Sequence, residues 1–225
     1  LTLDDARRRA AGLVGEEDSV VARNKTSTKA EQGPDKVIGR IVKCVEDLVS
    51  DAELSQKDVA AVGIGAPGAI NMEQGVVINA VNLRWNDLPL AEKLSKQLGL
   101  PVVLDNDVNV GTWGEYRLGA GRGCRNMLGI FVGTGIGGGI VIDGELYYGH
   151  FHTAGEIGHM VNNAGGMLGG RKLKNVASRT AIVNKLVQLI QSNHPSVIPK
   201  LTGGDLTGIR SKVLSQAQAA DDALT

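Results

Sequence analysis

The run Val102-Val103-Leu104-Asp105-Asn106-Asp107-Val108-Asn109 decides the predicted fold. Its first three residues form the apolar core of a predicted strand, and polar residues follow directly. A strand that ends in carboxylates and amides places them at the carboxyl edge of an α/β sheet, where ligands usually bind. Asp107 could act there as a general base on a hydroxyl group. The alternative is a polar turn that caps the next helix, and the run alone leaves both open.

The segments around this run alternate between strand-like and helix-like patterns, which predicts an α/β fold. Apolar residues recur at helical spacing in several segments. Helices are predicted over Pro34–Ser50, Leu90–Leu98, Asn109–Tyr116 and Ser178–Ile190, and after an N-cap at Asp205. Strands are predicted over Ala10–Val14, Val20–Arg23, Val59–Ile64, Met127–Val132 and Gly138–Ile142.

A second motif is the glycine-rich loop Gly133-Thr134-Gly135-Ile136-Gly137-Gly138-Gly139. It contains the spacing of a dinucleotide fingerprint, but that fingerprint requires a helix after the loop, and here a strand follows. Strand, glycine loop and strand instead predict a hairpin whose tip exposes backbone N–H groups to phosphate oxygens. Thr134 would add a hydroxyl donor. A plain glycine-rich hairpin is the alternative.

The third motif is Gly155-Glu156-Ile157-Gly158-His159. The Glu-x-x-His spacing brings two polar side chains close together if the segment is helical. The pair could be part of a metal site, a sugar-binding pair or a surface pair, and on its own it favours the surface pair. Asn79 and Asn82, near Trp85, give a weaker signal of the same type.

The composition gives little reason to expect nucleic acid or a membrane as a partner. Among the 225 residues, 24 Lys and Arg balance 24 Asp and Glu, so there is no bulk charge to attract either. No apolar run approaches the roughly 20 residues of a membrane helix. Two distant cysteines, Cys44 and Cys124, fit a reduced, cytoplasmic setting.

Together and in this order, the three motifs resemble those of the ROK family of sugar kinases and related repressors. The resemblance runs from about Val59 to Ser215 and is most specific from Val103 to Met160. Asn82-Leu83-Arg84-Trp85 followed by Leu88-Pro89-Leu90 is similar to the bacterial glucokinase branch.

The resemblance implies an actin-like, ribonuclease-H-like ATPase fold with two α/β domains, divided here as residues 1–105 and 106–225, and with a sugar and ATP in the cleft between them. It implies that Asp107 is the base that activates a sugar hydroxyl. Other hydroxyls would be held by Asn82, Asn106, Glu156 and His159. The phosphates of ATP, with Mg²⁺, would be received by Gly133, Thr134, Gly135 and Gly137. The partners expected are a hexose and ATP, and the resemblance leaves a homodimer open.

The chain departs from the family pattern in three places. At residues 1–9 the family's phosphate-binding glycine turn is missing. His159 matches a family zinc ligand, but no cysteine follows in 164–178, so we expect no bound zinc, because a structural zinc needs about four ligands. Lys174 stands where the family has a sugar-binding glutamate. The family also continues for about another third of its length beyond Thr225, so we expect a C-terminally truncated chain with exposed apolar surface.

Three functions compete at this point. The first is a glucokinase-like hexose kinase, with N-acetylmannosamine, N-acetylglucosamine and fructose as other candidate sugars. The second is a sugar-responsive regulator of the same fold without catalysis, against which Asp107 argues, since a sensor needs no base. The third is an inactive fragment, which the three departures favour.

Overall fold

The structure is a computed structural model that describes residues 9–15, 19–166 and 169–225. Contacts within the chain divide it into two units. The first unit runs to Gly129 and includes Gly139–Ala154, and the second comprises Ile130–Gly138 and Gly155–Thr225. The predicted domain division at residue 105 stays a prediction. The altered phosphate turn predicted at residues 1–9 lies, apart from Arg9, outside the described residues.

The described chain alternates strands and helices, and the predicted mixed α/β class is confirmed. The strands are β1 (Arg9–Val14), β2 (Val20–Thr26), β3 (Val62–Ala66), β4 (Ala69–Asn71), β5 (Val76–Ala80), β6 (Trp85–Leu88), β7 (Val102–Asn106), β8 (Met127–Val132), β9 (Ile136–Ile142) and β10 (Glu145–Leu146). The helices are α1 (Pro34–Asp51), α2 (Leu90–Leu98), α3 (Asp107–Leu118), α4 (Leu173–Ala177), α5 (Arg179–Gln191), α6 (Ile198–Leu201) and α7 (Ser211–Gln218). None of the described helices is long and apolar enough to cross a membrane.

In the first unit, the parallel pair β3 and β7 positions the polar run. Their register pairs Ile64 with Leu104 and Ala66 with Asn106, so both strands end at the same edge. The turn after β3 therefore lies beside the residues that end β7. Strands β4, β5 and β6 follow as an antiparallel sheet.

A continuous apolar core supports this edge. Helices α1 and α2 bury their apolar stripes against the strands, and Ile41, Ile64, Leu90 and Leu94 are at most 1% exposed. Each fully buried side chain of this kind stabilises the fold by roughly 1.5–3 kcal/mol. Helix α2 ends at Gly99, whose φ of 63° gives the left-handed C-terminal cap that glycine favours. The β7 edge is therefore held by a well-packed support.

The second unit has a smaller core. Leu186 of α5, Ile198 of α6 and Ala217 of α7 are buried together with Ile209. The N-cap predicted at Asp205 is found, but it caps a short 3-10 turn, Leu206–Gly208, and the α-helix that follows begins only at Ser211. Asp205 accepts from Thr207 through both the amide and the hydroxyl, which closes the turn locally instead of starting an α-helix.

Strands β8, β9 and β10 form one sheet in the order β10-β9-β8, in which β10 pairs antiparallel with β9. Alternate residues of β8 are exposed: Leu128 to 53%, Ile130 to 55% and Val132 to 61%. Because side chains alternate between the two faces of a strand, these three lie on one face. The strand thus presents an apolar face to solvent.

Candidate active site

Asn106 and Asp107 occupy the junction between β7 and α3. The Asn106 side chain caps α3 by accepting from the amides of Val108 at 2.9 Å and Asn109 at 3.4 Å. Asp107 is the first residue of the helix and is half-buried, and its carboxylate also accepts from the Val108 amide at 3.0 Å. The positive end of a helix dipole favours a carboxylate in this turn. The proposed base is thus held in a fixed backbone position at the end of the parallel strand pair.

Asp105 connects the residues of this junction through three hydrogen bonds. One carboxylate oxygen accepts from the Asn106 amide at 2.6 Å and from the Asn109 side-chain amide at 3.1 Å. The other oxygen accepts from the Tyr148 hydroxyl at 2.8 Å. Burial, and next the bond to Asp105, raises the pKa of Tyr148 above its ordinary value, so it remains a neutral donor. Sequence reasoning missed Tyr148, because nothing local connects two residues 43 positions apart.

Asn106 also connects the junction to the turn after β3. Its side-chain amide donates to the Gly68 carbonyl at 3.1 Å. Gly68 has a φ of 92°, and a Cβ there would meet the Asn79 carbonyl oxygen at 2.0 Å, so only glycine fits. Asn79 in turn donates to Asn86 at 2.7 Å. The contacts therefore link Asn106 to the segment that leads into Asn82.

Asn82 itself lies in the 3-10 turn Val81–Leu83 and is exposed. The turn is anchored by Leu83, which is 2% exposed in the core of the first unit. A polar side chain on a rigid, anchored turn remains available to a ligand. Whether Asn82 binds sugar stays a prediction.

The tip of the glycine loop lies in the second unit and offers unpaired backbone amides. The Gly133 amide donates to the Gly135 carbonyl at 2.9 Å, and the Gly133 carbonyl accepts from the Arg179 amide at 3.0 Å. In contrast, the amides of Thr134 and Gly135 have no hydrogen-bond acceptor within the described part of the chain. Two successive free amides form the kind of concave donor group that binds phosphate oxygens.

Two glycines of the tip have open space around them. A Cβ at Gly133 or Gly135 would meet no atom within 4 Å, and neither residue has a left-handed φ. Neither backbone strain nor internal packing therefore requires glycine at these positions. Close approach of a ligand to the backbone would require it. Thr134 is exposed between them, and Gly137 belongs to β9.

Glu156 and His159 lie on one short turn of the second unit. Ile157–His159 is a 3-10 helix with Glu156 as its N-cap, and the His159 amide donates to the Glu156 carbonyl at 3.0 Å. In a 3-10 turn, residues three apart project from the same side. Gly158 packs so closely that a Cβ would meet the Ile136 carbonyl oxygen at 2.1 Å. The turn therefore presents Glu156 and His159 together.

The donor set around His159 does not fit a zinc ion. The Lys172 ammonium nitrogen lies 3.0 Å from His159 Nδ1, and that of Lys174 lies 2.8 Å from Nε2. Partial burial, then Lys174 and Lys172, lowers the pKa of His159, while Glu156 opposes the shift. No cluster of three His, Cys, Asp or Glu side chains with metal-binding geometry occurs within residues 9–15, 19–166 and 169–225. The expected absence of zinc stays a prediction.

Comparison with known proteins identifies relatives of the chain. The sequence profile described as the ROK family matches residues 6–209. The chain belongs to the ROK family. It is 37% identical over 214 residues to the glucokinase of Streptomyces coelicolor, an alignment that covers 92% of the chain and 65% of that protein. The chain therefore spans slightly less than two thirds of this ROK relative.

Solved ROK structures share the fold. A ROK glucokinase from Streptomyces griseus, in complex with glucose and AMPPNP, superposes with a TM-score of 0.82 at 33% identity, covering 99% of this chain and 71% of that one. A ROK family transcriptional regulator, a homologue of the E. coli MLC protein, superposes with a TM-score of 0.79 at 26% identity, covering 100% of this chain and 55% of that one. The predicted actin-like ATPase fold of the ROK sugar kinases is thus confirmed. Kinases and regulators both share it.

Proposed function

We propose that the chain carries the catalytic part of an ATP-dependent hexose kinase, with glucose as the leading substrate and glucose 6-phosphate as the product. The observation that carries this proposal is the fixed position of Asp107 at the first residue of α3, behind which Asn106 and Asp105 form a connected hydrogen-bond network. A regulator that only binds a sugar has no need of a general base.

Asp107 would take the proton of the attacking sugar hydroxyl while the hydroxyl oxygen bonds to the terminal phosphorus of ATP and ADP leaves. General-base help of this kind contributes about 10²–10⁴ in rate. Asn82, Asn106, Glu156 and His159 would hold the remaining hydroxyls, because each places an amide, carboxylate or imidazole on a rigid turn or helix end. The hydroxyl that reacts is proposed to be the 6-hydroxyl.

The glycine loop would receive the phosphates of ATP. The free amides of Thr134 and Gly135 supply donors, and the open space at Gly133 and Gly135 lets phosphate oxygens approach the backbone. Mg²⁺ usually takes one or two carboxylates besides phosphate oxygens and water, so we propose that it enters with the nucleotide. When bound, it would neutralise charge on the transferred phosphoryl group.

A coupled assay with ATP and glucose tests the proposal on this chain and on Asp107→Asn. We expect the substitution to lower kcat at least about 100-fold and to leave glucose binding within a few-fold, because it removes the base and keeps the shape. Glucose binding is measured separately by calorimetry. Asp143→Asn is the matched control, since Asp143 makes an exposed ion pair with Arg125 at 2.7 Å and should not affect turnover.

The outcomes separate the candidate functions. Turnover that survives Asp107→Asn would refute the assigned base. Glucose binding without turnover would support the sugar-responsive regulator, which the similarity to a ROK transcriptional regulator over the whole chain favours as the second candidate. Turnover of N-acetylmannosamine or N-acetylglucosamine in preference to glucose would change the substrate and keep the mechanism. Absence of both binding and turnover would support an inactive fragment. A homodimer and a cytoplasmic location stay predictions.

A further inference from the structure

One imidazole ring in the second unit has an ammonium group at each of its nitrogens. Lys172 Nζ lies 3.0 Å from Nδ1 of His159, and Lys174 Nζ lies 2.8 Å from Nε2. No Asp or Glu lies within 4 Å of either ammonium nitrogen in the described ranges. Three nitrogen groups that can donate hydrogen bonds therefore converge without a carboxylate partner.

The backbone fixes this convergence. Val161 and Lys172 form an isolated antiparallel bridge, which brings the 3-10 turn Ile157–His159 beside the start of α4, where Lys174 lies. Two further bonds hold the segments in place: the Leu173 amide donates to the Met160 carbonyl at 2.9 Å, and the Asn162 amide donates to the Arg171 carbonyl at 2.8 Å. Main-chain pairing therefore brings the backbones of His159, Lys172 and Lys174 together, and their side chains complete the cluster.

The N–H groups around the His159 ring outnumber the acceptors that the ring offers. A neutral imidazole has one N–H donor and one acceptor nitrogen, whereas a lysine ammonium only donates. One lysine can donate to the acceptor nitrogen of His159, but the other then has its N–H groups directed at an N–H. An acceptor that takes the N–H groups left without one would resolve this mismatch, and a lysine side chain can turn towards it. An oxyanion has several acceptor oxygens and carries the opposite charge.

We propose that His159, Lys172 and Lys174 form a binding site for a small oxyanion, a phosphate or carboxylate group. The two ammonium groups donate to its oxygens, and the ring nitrogen that carries the proton adds a third bond. Glu156 lies on the same turn and opposes an anion through its own charge. The anion is therefore expected to lie closer to the lysines than to Glu156.

The source of the anion is free phosphate, the phosphate group of a hexose 6-phosphate or the carboxylate of a hexuronate. Calorimetric titrations of the full chain at low ionic strength, where screening is weak, use inorganic phosphate, glucose 6-phosphate, glucuronate and neutral glucose as probes. Tighter binding of glucose 6-phosphate than of free phosphate identifies a sugar phosphate, and tighter binding of glucuronate identifies a carboxylated sugar. Equal binding of both phosphates identifies a free-anion site.

Lys172→Met and Lys174→Met test the assignment. We expect each to weaken the tightest-binding anion at least about 10-fold, since one charge-assisted bond is lost and a tenfold change corresponds to about 1.4 kcal/mol. Lys185→Met is the matched control, because Lys185 is exposed on α5 of the same unit and should change the affinity less than twofold. Circular dichroism checks that each variant is folded, and the imidazole resonances of His159 should shift with phosphate in the unmodified chain.

Two results would overturn the proposal: none of the three anions binds, or an anion binds with an affinity that neither lysine substitution changes. The inference goes beyond the proposed kinase function, and its failure is separable from that of the kinase. Anion binding without glucose phosphorylation keeps the site and removes the kinase. Phosphorylation of glucose without lysine-dependent anion binding keeps the kinase and rules out the anion site.

Discussion

The Asp105–Asn109 junction and the tip of the glycine loop are both candidate parts of a kinase site, but they are built in opposite ways. At the junction, Asp105 and Asn106 use their side chains for internal hydrogen bonds to amides, to Asn109 and to Tyr148. At the tip, a Cβ added to Gly133 or Gly135 would meet no atom within 4 Å, and two amides lack acceptors within the described chain. One region is preorganised by its own contacts, and the other leaves its hydrogen-bond donors open to a ligand or to water.

The same contrast occurs among glycines of the second unit. Gly158 is buried against the Ile136 backbone, whereas Gly135 faces open space. Both belong to motifs that stand out in the sequence, yet the reason for glycine differs. The fold requires the first, and a bound phosphate would require the second. Substitution with alanine separates the two reasons.

Gly158→Ala should have the largest effect on stability. The new Cβ would lie 2.1 Å from a backbone carbonyl oxygen, which cannot move without displacing β9. We expect a loss of about 3 kcal/mol in the free energy of unfolding, the upper end of the range for overpacking. Chemical denaturation followed by circular dichroism measures it. Gly165→Ala is the control, since its Cβ would meet only the Asn163 side chain at 3.9 Å. A loss below about 1 kcal/mol in the free energy of unfolding would show that the structure around Gly158 can relax to admit the methyl group.

Sequence reasoning was most successful where a local pattern carries the information. The apolar spacing of Pro34–Asp51 and the Leu90–Leu98 stripe are each buried on one face, so periodicity alone predicts these helices. The capping role of Asn106, an alternative that the sequence left open, is found together with the half-buried Asp107 at the mouth of the sheet. The two interpretations are compatible, because a cap fixes the backbone of the residue that follows it.

A smaller effect is expected from Tyr148→Phe, which leaves one oxygen of Asp105 without its donor. Losing this partly buried bond should lower the free energy of unfolding by about 1–2 kcal/mol. Tyr147→Phe, at a side chain that is 51% exposed, is the control and should change little. If Asp105 positions the base, Tyr148→Phe should also lower kcat more than it raises the KM for glucose.

The pH dependence gives this prediction a second measurement. Burial first, and then the bond to Asp105, raises the pKa of Tyr148 in the folded state, so folding favours its neutral form. The stability difference between the unmodified chain and Tyr148→Phe should therefore be constant below about pH 10, the ordinary value for tyrosine. It should shrink as the pH rises further. A difference that already changes between pH 6 and pH 8 would contradict the assignment.

Sequence reasoning failed where the information is not local. Strands β4, β5 and β6 were not predicted, because they are three to five residues long and their left-handed turn at Gly75 carries no strong signal. The Tyr148–Asp105 bond and the position of Lys172 beside His159 depend on chain segments brought together by folding. In the sequence alone, Lys174 stands out only as a reversal of charge relative to the family. Its meaning depends on the Val161–Lys172 bridge, which no local pattern shows.

Gly135→Ala should have the smallest effect on stability and the clearest effect on ligand binding. The site offers space for a Cβ and no left-handed φ, so alanine should be neutral or stabilise the chain by about 0.4–1 kcal/mol through the unfolded state. The same methyl group would occupy the space where a phosphate approaches the backbone, and we expect AMPPNP affinity to fall at least about tenfold in calorimetry. Gly39→Ala is the control: it also meets no atom within 4 Å, but it lies on α1 in the other unit.

The paired readouts decide what the tip of the loop is for. If Gly135→Ala keeps or raises stability while nucleotide binding falls, the glycine is retained for the ligand, and the contrast with Gly158 holds. If nucleotide binding is unchanged, the open tip is a plain hairpin, and the free amides of Thr134 and Gly135 are hydrated instead of bound to phosphate. If stability falls as it does for Gly158→Ala, the two glycines share one structural reason, and the proposed phosphate site loses its main support.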